Sequence, residues 1–448
     1  MGDYKISKGY TVPILGEAAK ELVDAKHPPF VGVCPVEFKG LKPKLSVKVN
    51  DEVKVGTPLF FDKKNPELIF LSPATGRITA INYGPRRVIE EVVIATGDAY
   101  QYEIFEKHTL AQIAKVTRET LIQKLLAGGV WPYIRQRPFT KIADYTKPAK
   151  AIFVNCMDTA PLANDPSFSL KERGEDFKAG IQALKVLSDK IHLVTNGGSQ
   201  GPFGDVEGVT RHTFSGKHPA GLVGTHINKV DPINKGETVW FVHARDLVMI
   251  GQFLLSGRYP IERIVAVAGN GAQKPHYVRT QVGTKIKDLV AGNLADGEMR
   301  FISGNVLSGS LKDPEKPLGF YDDLLTIIPE GREQHLLGWA NPFKSVPSYT
   351  RAFISGFFSG TKYKMNTNIN GGHRAIIVSG NYDEVVALDV HAEFLIKATL
   401  AQDIDMMEQL GILECDPEDF SLCTYICPSK TEVSQIIADG LELMEKEG

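Results

Sequence analysis

Between Leu45 and Val55 apolar and polar positions alternate: Leu45, Val47 and Val49 are apolar, Asn50-Asp51 turns, and Val53 and Val55 resume the pattern before Gly56. A period of two bounded by turn residues predicts short, half-buried strands. The stretch LIFLSPATGRITAINYG repeats the layout, with an apolar run, a Pro-Ala-Thr-Gly turn and a strand carrying Ile78 and Ile81. Together the two halves predict a small β unit over residues 1–100.

From residue 109 the period changes to that of a helix. Leu121, Leu125 and Leu126 share one face, and Gly128-Gly129 supplies the stop. This predicts a helical connector over 101–149, ending in the aromatic and basic stretch VWPYIRQRPFTK. Beyond Lys150, AIFVN and IHLVT are apolar runs of strand length, and Phe177, Ile181, Leu184 and Leu187 recur at helical spacing between them. Strand, helix, strand predicts a parallel sheet, continued by ETVWFV and the helical ARDLVMIGQFLLSG, so residues 150–258 read as a Rossmann-like β-α-β domain. RIVAVAGNGAQKPHYVRTQVGTKIKDLVAG reads strand, turn, strand, helix, and resembles a soluble-ligand-binding β-grasp module over 259–330. Two helical runs, Phe394 to Leu410 and Glu432 to Lys446, predict a C-terminal helical domain over 331–448. The fold class expected is multi-domain α/β.

Composition narrows the function classes. A chain of 448 residues exceeds a single core and divides into roughly three or four units. Its 51 basic and 53 acidic residues leave a net charge of -2, which offers no field for a phosphate backbone, so nucleic acid is not an expected partner. No apolar stretch approaches the ~20 residues that span a bilayer, and the opening MGDYKISKGYTVPILGEAAK lacks the apolar run of a signal peptide. Cys34, Cys156, Cys415, Cys423 and Cys427, an odd number, fit a reducing compartment, and the cytoplasm is expected.

The candidate chemistry is sparse. LCTYICP ends in C-x3-C-P, as a bacterial iron–sulfur run does, but the two earlier ligand positions hold Phe420 and Pro417. Cys423 and Cys427 alone supply two of four thiolates, so they read as small apolar residues packed between the last helices. His212, His218 and His226 are spaced too widely for the usual short zinc pairs and read as part of a tight backbone turn. Asp403, Asp405, Glu414, Asp416, Glu418 and Asp419 read as solvated surface or helix-end charge. No G-x-G-x-x-G follows AIFVN, and no Walker loop or G-x-S-x-G elbow is present. No catalytic centre is complete within the chain, and no metal site is expected.

Two resemblances carry the reading further. VNDEVKVGTPLFF followed by SPATGRI resembles a biotinyl/lipoyl-like barrel sandwich, although Lys63 and Lys64 lack a carrier lysine's context and read as solvated loop residues. KKNPELIFLSPATGRI, RQRPF, AIFVNCMDTAPLA, HPAGLVGTHI, ISGNVLSG, LGWANP, GNYDEVVALDV and LCTYICPSKTE, in this order, resemble the NqrA family, the A subunits of the Na+-translocating NADH:quinone reductases. The resemblance implies a peripheral subunit on the cytoplasmic face of the bacterial inner membrane, held chiefly on the membrane-embedded B subunit among the B to F subunits. It also implies involvement in reducing ubiquinone or menaquinone, with FAD, FMN, riboflavin and iron–sulfur centres in other subunits and none in this chain. Family relatives with a flavin and clusters are the C subunit of Rnf complexes and the FMN-binding subunit of complex I, and the cysteine run here reads as a relic of theirs.

A quinone head needs apolar walls and donors for two carbonyls. Trp131, Tyr133 and Phe139 offer walls, Arg135 and Arg137 offer donors, and Phe38 joins them if the two segments meet. Two other functions stay open, a docking scaffold for the B subunit that binds no quinone, and an Rnf-like electron carrier.

Overall fold

The computed structural model describes residues 2–198, 201–204, 206–332, 347–350 and 360–448. LGWANP lies outside the described residues. The chain is a mixed α/β protein with a barrel sandwich near its N-terminus and helices at its C-terminus.

The barrel sandwich packs a four-stranded sheet (Phe30–Val33, Glu52–Val53, Gly76–Tyr83, Ile89–Thr96) on a three-stranded one (Pro43–Leu45, Pro58–Asp62, Ile69–Leu71). The alternation decides which side chains enter: Val53, Leu59, Phe60, Phe70, Ile78, Val92 and Ile94 are buried together. Gly76 in the Pro-Ala-Thr-Gly turn has φ +154, and a Cβ there would run into the Ala95 carbonyl, so the turn needs glycine. Lys63 and Lys64 sit in an exposed loop. The strand expected through Val49 stops at Leu45, and Val49 is exposed.

The central sheet has seven strands in the order Gly2–Ile6, Thr210–Gly216, Ile191–Asn196, Ile152–Asn155, Val239–His243, Arg135–Arg137, Lys141–Ile142. The first five run parallel, and Arg135–Arg137 runs antiparallel to both Val239–His243 and Lys141–Ile142, so the sheet is mixed at one edge. Both faces are covered, which explains the unbroken apolar runs of its middle strands. Ile152, Val154, Trp240 and Val242 face helices Gly174–Leu187 and Ala244–Ser256, whereas Phe153, Val239 and Phe241 face helix Val223–Val230. The two helices on the first face touch backbone to backbone, because a Cβ at Gly251 would meet the Asp176 carbonyl and one at Gly180 would meet Leu247.

Several strand memberships differ from the sequence expectation. Gly2–Ile6 joins the central sheet and Ala19–Asp24 joins a six-stranded sheet beside His276–Gln281, although both fall within the range expected for the barrel sandwich. The connector likewise gives Arg135–Arg137 to the central sheet. The six-stranded sheet orders Ser310–Lys312, Met299–Ser303, Leu324–Pro329, Glu262–Ala268, His276–Gln281 and Ala19–Asp24. C-terminal helices Asn381–Val385, Ala392–Leu400, Ile404–Gln409, Ser421–Ile426 and Val433–Glu447 enclose their own core of Tyr382, Leu395, Ile396, Met407, Phe420 and Leu441. The run expected as one helix from Phe394 to Leu410 breaks before Asp403, whose side chain accepts from the Met406 N–H at 3.0 Å and starts a new helix. No helix among the described residues is long and apolar enough to cross a membrane.

Candidate functional site

In the central sheet, strand Ile152–Asn155 leads to Ile191–Asn196 on one side, while its other neighbour, Val239–His243, is reached later in the chain. The carboxyl ends of two strands whose connections leave in opposite directions part to form a crevice, the usual ligand position in such sheets. A cavity of about 410 Å³ lies there. Asp158 follows the first strand into it, His243 ends the second and Arg245 follows it, and Leu222 and Val223 open helix Val223–Val230 on its wall. Arg135 and Tyr321 face it from one side, and Asp416 and Glu418 from the C-terminal helices.

Arg135 is the most distinctive group in the wall. Its guanidinium carbon lies 4.3 Å from the Tyr321 ring centroid and 4.7 Å from that of Phe241, the residue directly opposite on the neighbouring strand. Its Nε is buried without a partner. Arg245 is already engaged: Nη1 lies 3.1 Å from Asp323 Oδ1, and Nη2 donates to the Tyr321 carbonyl at 2.8 Å. Burial in the cavity wall pushes the Asp158 carboxyl up to about 6, although the Ala160 N–H donates to it at 2.7 Å. Burial, then Arg245 and Arg135, hold His243 well below the usual imidazole range. The cavity therefore offers one aromatic-sandwiched cation with donors to spare and several carboxyls.

Arg137, two residues along the same strand and on the same face, is engaged rather than free. It is 1% exposed and meets three carboxylates of the C-terminal region: Asp416 at 3.3 Å, Glu418 at 2.7 Å and Asp419 at 3.4 Å. Thr140 Oγ1 also donates to Asp416. Burial pushes the Glu418 and Asp419 carboxyls upward against the pull of Arg137. The expectation that these three acids are solvated surface or helix-end charge is corrected in part: Asp416 does cap the turn Pro417–Phe420, but the group forms an ion cluster that joins the central sheet to the C-terminal helices. Arg137 Nε has no partner, but at 1% exposure the guanidinium is closed off from a ligand carbonyl.

The other candidates are placed as follows. Trp131 is fully buried, donates from Nε1 to the Ala143 carbonyl at 2.8 Å, and stands edge-on to Trp240. Tyr133 is fully buried and stacks on Phe320 at 5.0 Å, and Phe38 meets the same ring at 4.9 Å. Thus Phe38 and Tyr133 do approach, through Phe320, and Phe320 packs against the Tyr321 that carries Arg135. They form the rear of the cavity wall. Phe139 turns away into the C-terminal core, with φ +76 and its carbonyl taking a bond from Lys39 at 2.9 Å. Phe320 and Tyr321 are absent from the sequence-derived candidates, and their one signal was the aromatic pair in PLGFYDD.

Cys423 and Cys427 pack in the C-terminal core with Tyr382, whose hydroxyl is 3.0 Å from Cys427 Sγ, and Cys415 lies in the same cluster. No group of three or more His, Cys, Asp or Glu among the described residues is arranged to hold a metal. The three histidines are separately engaged: His212 with His192 at 3.0 Å, His218 with Thr159 at 3.3 Å, His226 with the Ala220 carbonyl at 2.8 Å. Burial lowers His218 and His226 to about 4 each. A depressed imidazole contributes stability that is present above its unfolded pKa and lost as pH falls through the folded one. Each therefore withdraws about 3 kcal/mol between roughly pH 6.5 and 4. Acid titration of the unfolding free energy should steepen in that window, and His226→Gln should flatten the slope.

Family models match three parts of the chain: an NqrA N-terminal barrel-sandwich hybrid domain over residues 4–97, an NqrA second alpha/beta domain over 116–259, and an NQRA C-terminal domain over 264–312. The A subunit of the Na(+)-translocating NADH-quinone reductase from Neisseria meningitidis serogroup B is 39% identical over 446 residues, 99% of this chain and 100% of that one. Its namesake from Vibrio anguillarum is 38% identical over 444 residues, 99% of each chain.

Proposed function

The chain belongs to the NqrA family, the A subunits of the Na+-translocating NADH-quinone reductases, and from that premise we propose that it binds the quinone head at the Arg135 cavity. The relatives' name supplies the reaction class, oxidoreduction of NADH and quinone coupled to Na+ translocation. The observation that supports the location is Arg135, sandwiched between Phe241 and Tyr321 at the mouth of the sheet crevice. A planar quinone ring stacks against the same aromatic wall. Its carbonyl, which gains negative charge on reduction, accepts from a guanidinium that no acid among the described residues holds. Leu222, Val223 and Leu324 complete the apolar contacts.

In this reading the chain sits peripherally on the cytoplasmic face of the membrane, docked on the B subunit among the B to F subunits. Electrons arrive from the FAD, FMN, riboflavin and iron–sulfur centres of those subunits. The seven-stranded sheet is its Rossmann-like unit, residues 259–330 its β-grasp module, and Cys423 and Cys427 the relic of a cluster run.

Arg135→Ala in the assembled complex should raise the quinone KM roughly tenfold or more, the loss expected for a charge-assisted hydrogen bond of about 1.5–3 kcal/mol, with NADH oxidation by an artificial acceptor unchanged. An unaltered KM would favour a scaffold that binds no quinone.

A further inference from the structure

Behind the Arg135 wall lies an acid that no hydrogen bond explains. Asp246 occupies the first turn of helix Ala244–Ser256, where a carboxylate ordinarily reaches back to the free backbone N–H groups. Here the helix start has no side-chain cap, Asp246 is 1% exposed, and both of its carboxyl oxygens are buried without a partner. Leaving an ionised carboxylate so placed is costly. The Tyr133 hydroxyl, near enough to that of Tyr259 for the two to perturb each other, has no hydrogen-bond partner of good geometry, and neither has the buried Arg135 Nε. The turn Trp131–Tyr133 packs on this same helix, and Asp246 lies near enough to Tyr133, Tyr321 and Arg135 to perturb or be perturbed by each. Four orphaned polar atoms in one region of a core are the usual mark of internal water.

We propose that Asp246 is a proton-relay residue for the Arg135 site, holding a proton in the resting protein and releasing it through buried water to the quinone oxygen. The proposal rests on the quinone reading above. Reduction of a quinone to quinol takes two electrons, delivered from NADH by the complex, and two protons. For each of the two protons, one per quinone oxygen, the Asp246 O–H bond breaks, a shared water accepts that proton and gives another to that oxygen, and a new O–H bond forms there. The carboxylate left behind regains a proton through the hydroxyls of Tyr133 and Tyr259, and Tyr259 lines a second cavity of about 430 Å³ on the far side. The groups facing Asp246 are Arg245 on its own helix, Arg135 and Arg263 from neighbouring strands, Asp323, Tyr133 and Tyr321. Burial raises its carboxyl and the three arginines only partly offset this.

Two measurements test the relay. Infrared spectroscopy of the parent chain at neutral pH should show a protonated-carboxyl C=O band that is missing in Asp246→Asn. In the assembled complex, Asp246→Asn should lower kcat for quinone reduction about a hundredfold, the scale of a lost general acid. The residual rate should rise as pH falls, while the quinone KM and NADH oxidation by an artificial acceptor stay as in the parent. An absent band, or a kcat and pH profile matching the parent, overturns the relay. Failure of the quinone reading itself shows separately, as an Arg135→Ala complex whose KM does not move.

Discussion

Arg137→Ala is expected to cost the chain about 3–5 kcal/mol of stability, the scale for removing one partner of a buried ion pair. The reason is what remains. Asp416, Glu418 and Asp419 would be left close together, Asp419 at 3% exposure, with the cation that joins them gone. The midpoint of urea unfolding should therefore fall sharply, and the deficit should shrink as pH is lowered and Glu418 and Asp419, already pushed upward by burial, protonate. Combining Asp416→Asn, Glu418→Gln and Asp419→Asn with Arg137→Met should recover much of the loss, because a buried ion cluster is more costly to break than to replace. Parent stability of Arg137→Ala at neutral pH would remove the cluster as the tie between central sheet and C-terminal helices.

Trp131→Ala should be nearly as damaging, about 3–5 kcal/mol. The indole is fully buried, stands edge-on to Trp240 at 5.5 Å and Tyr145 at 5.8 Å, and ties its own turn to Ala143 through one hydrogen bond. Truncation opens a cavity between the barrel sandwich and the sheet and takes away the indole N–H that the Ala143 carbonyl accepts from. Trp131→Phe keeps most of the volume, so thermal unfolding should rank it between the parent and Trp131→Ala. Equal melting of Phe and Ala variants would contradict the packing argument.

What the residue pattern revealed depended on range. The strands of the barrel sandwich and the middle of the central sheet were legible because burial on one or both faces imposes alternation or an unbroken apolar run on neighbouring residues. Edge strands were not. Gly2–Ile6 and Ala19–Asp24 are largely exposed on their outer sides and read as polar segments, and their partners lie on β-strands far along the chain, Thr210–Gly216 and His276–Gln281. The ion cluster escaped for the same reason, since Arg137 is separated from Glu418 by 281 residues and each half alone resembles surface charge. Of the six side chains expected in quinone chemistry, Arg135 lines the cavity directly. Aromatic and basic composition could select VWPYIRQRPF, but Arg135 and Arg137, two apart on one strand, share a face and both lie by the Phe241 ring, and only the carboxylates of residues 416–419, far along the chain, engage one and leave the other free.

The most direct test of the account is a calorimetric titration of the isolated chain with a short-tailed quinone, run beside its Arg135→Ala variant. The account predicts saturable binding to the parent and its loss in the variant, with both chains melting at the same temperature. No binding to a folded parent chain, with the isolated B subunit binding the same quinone, would contradict it.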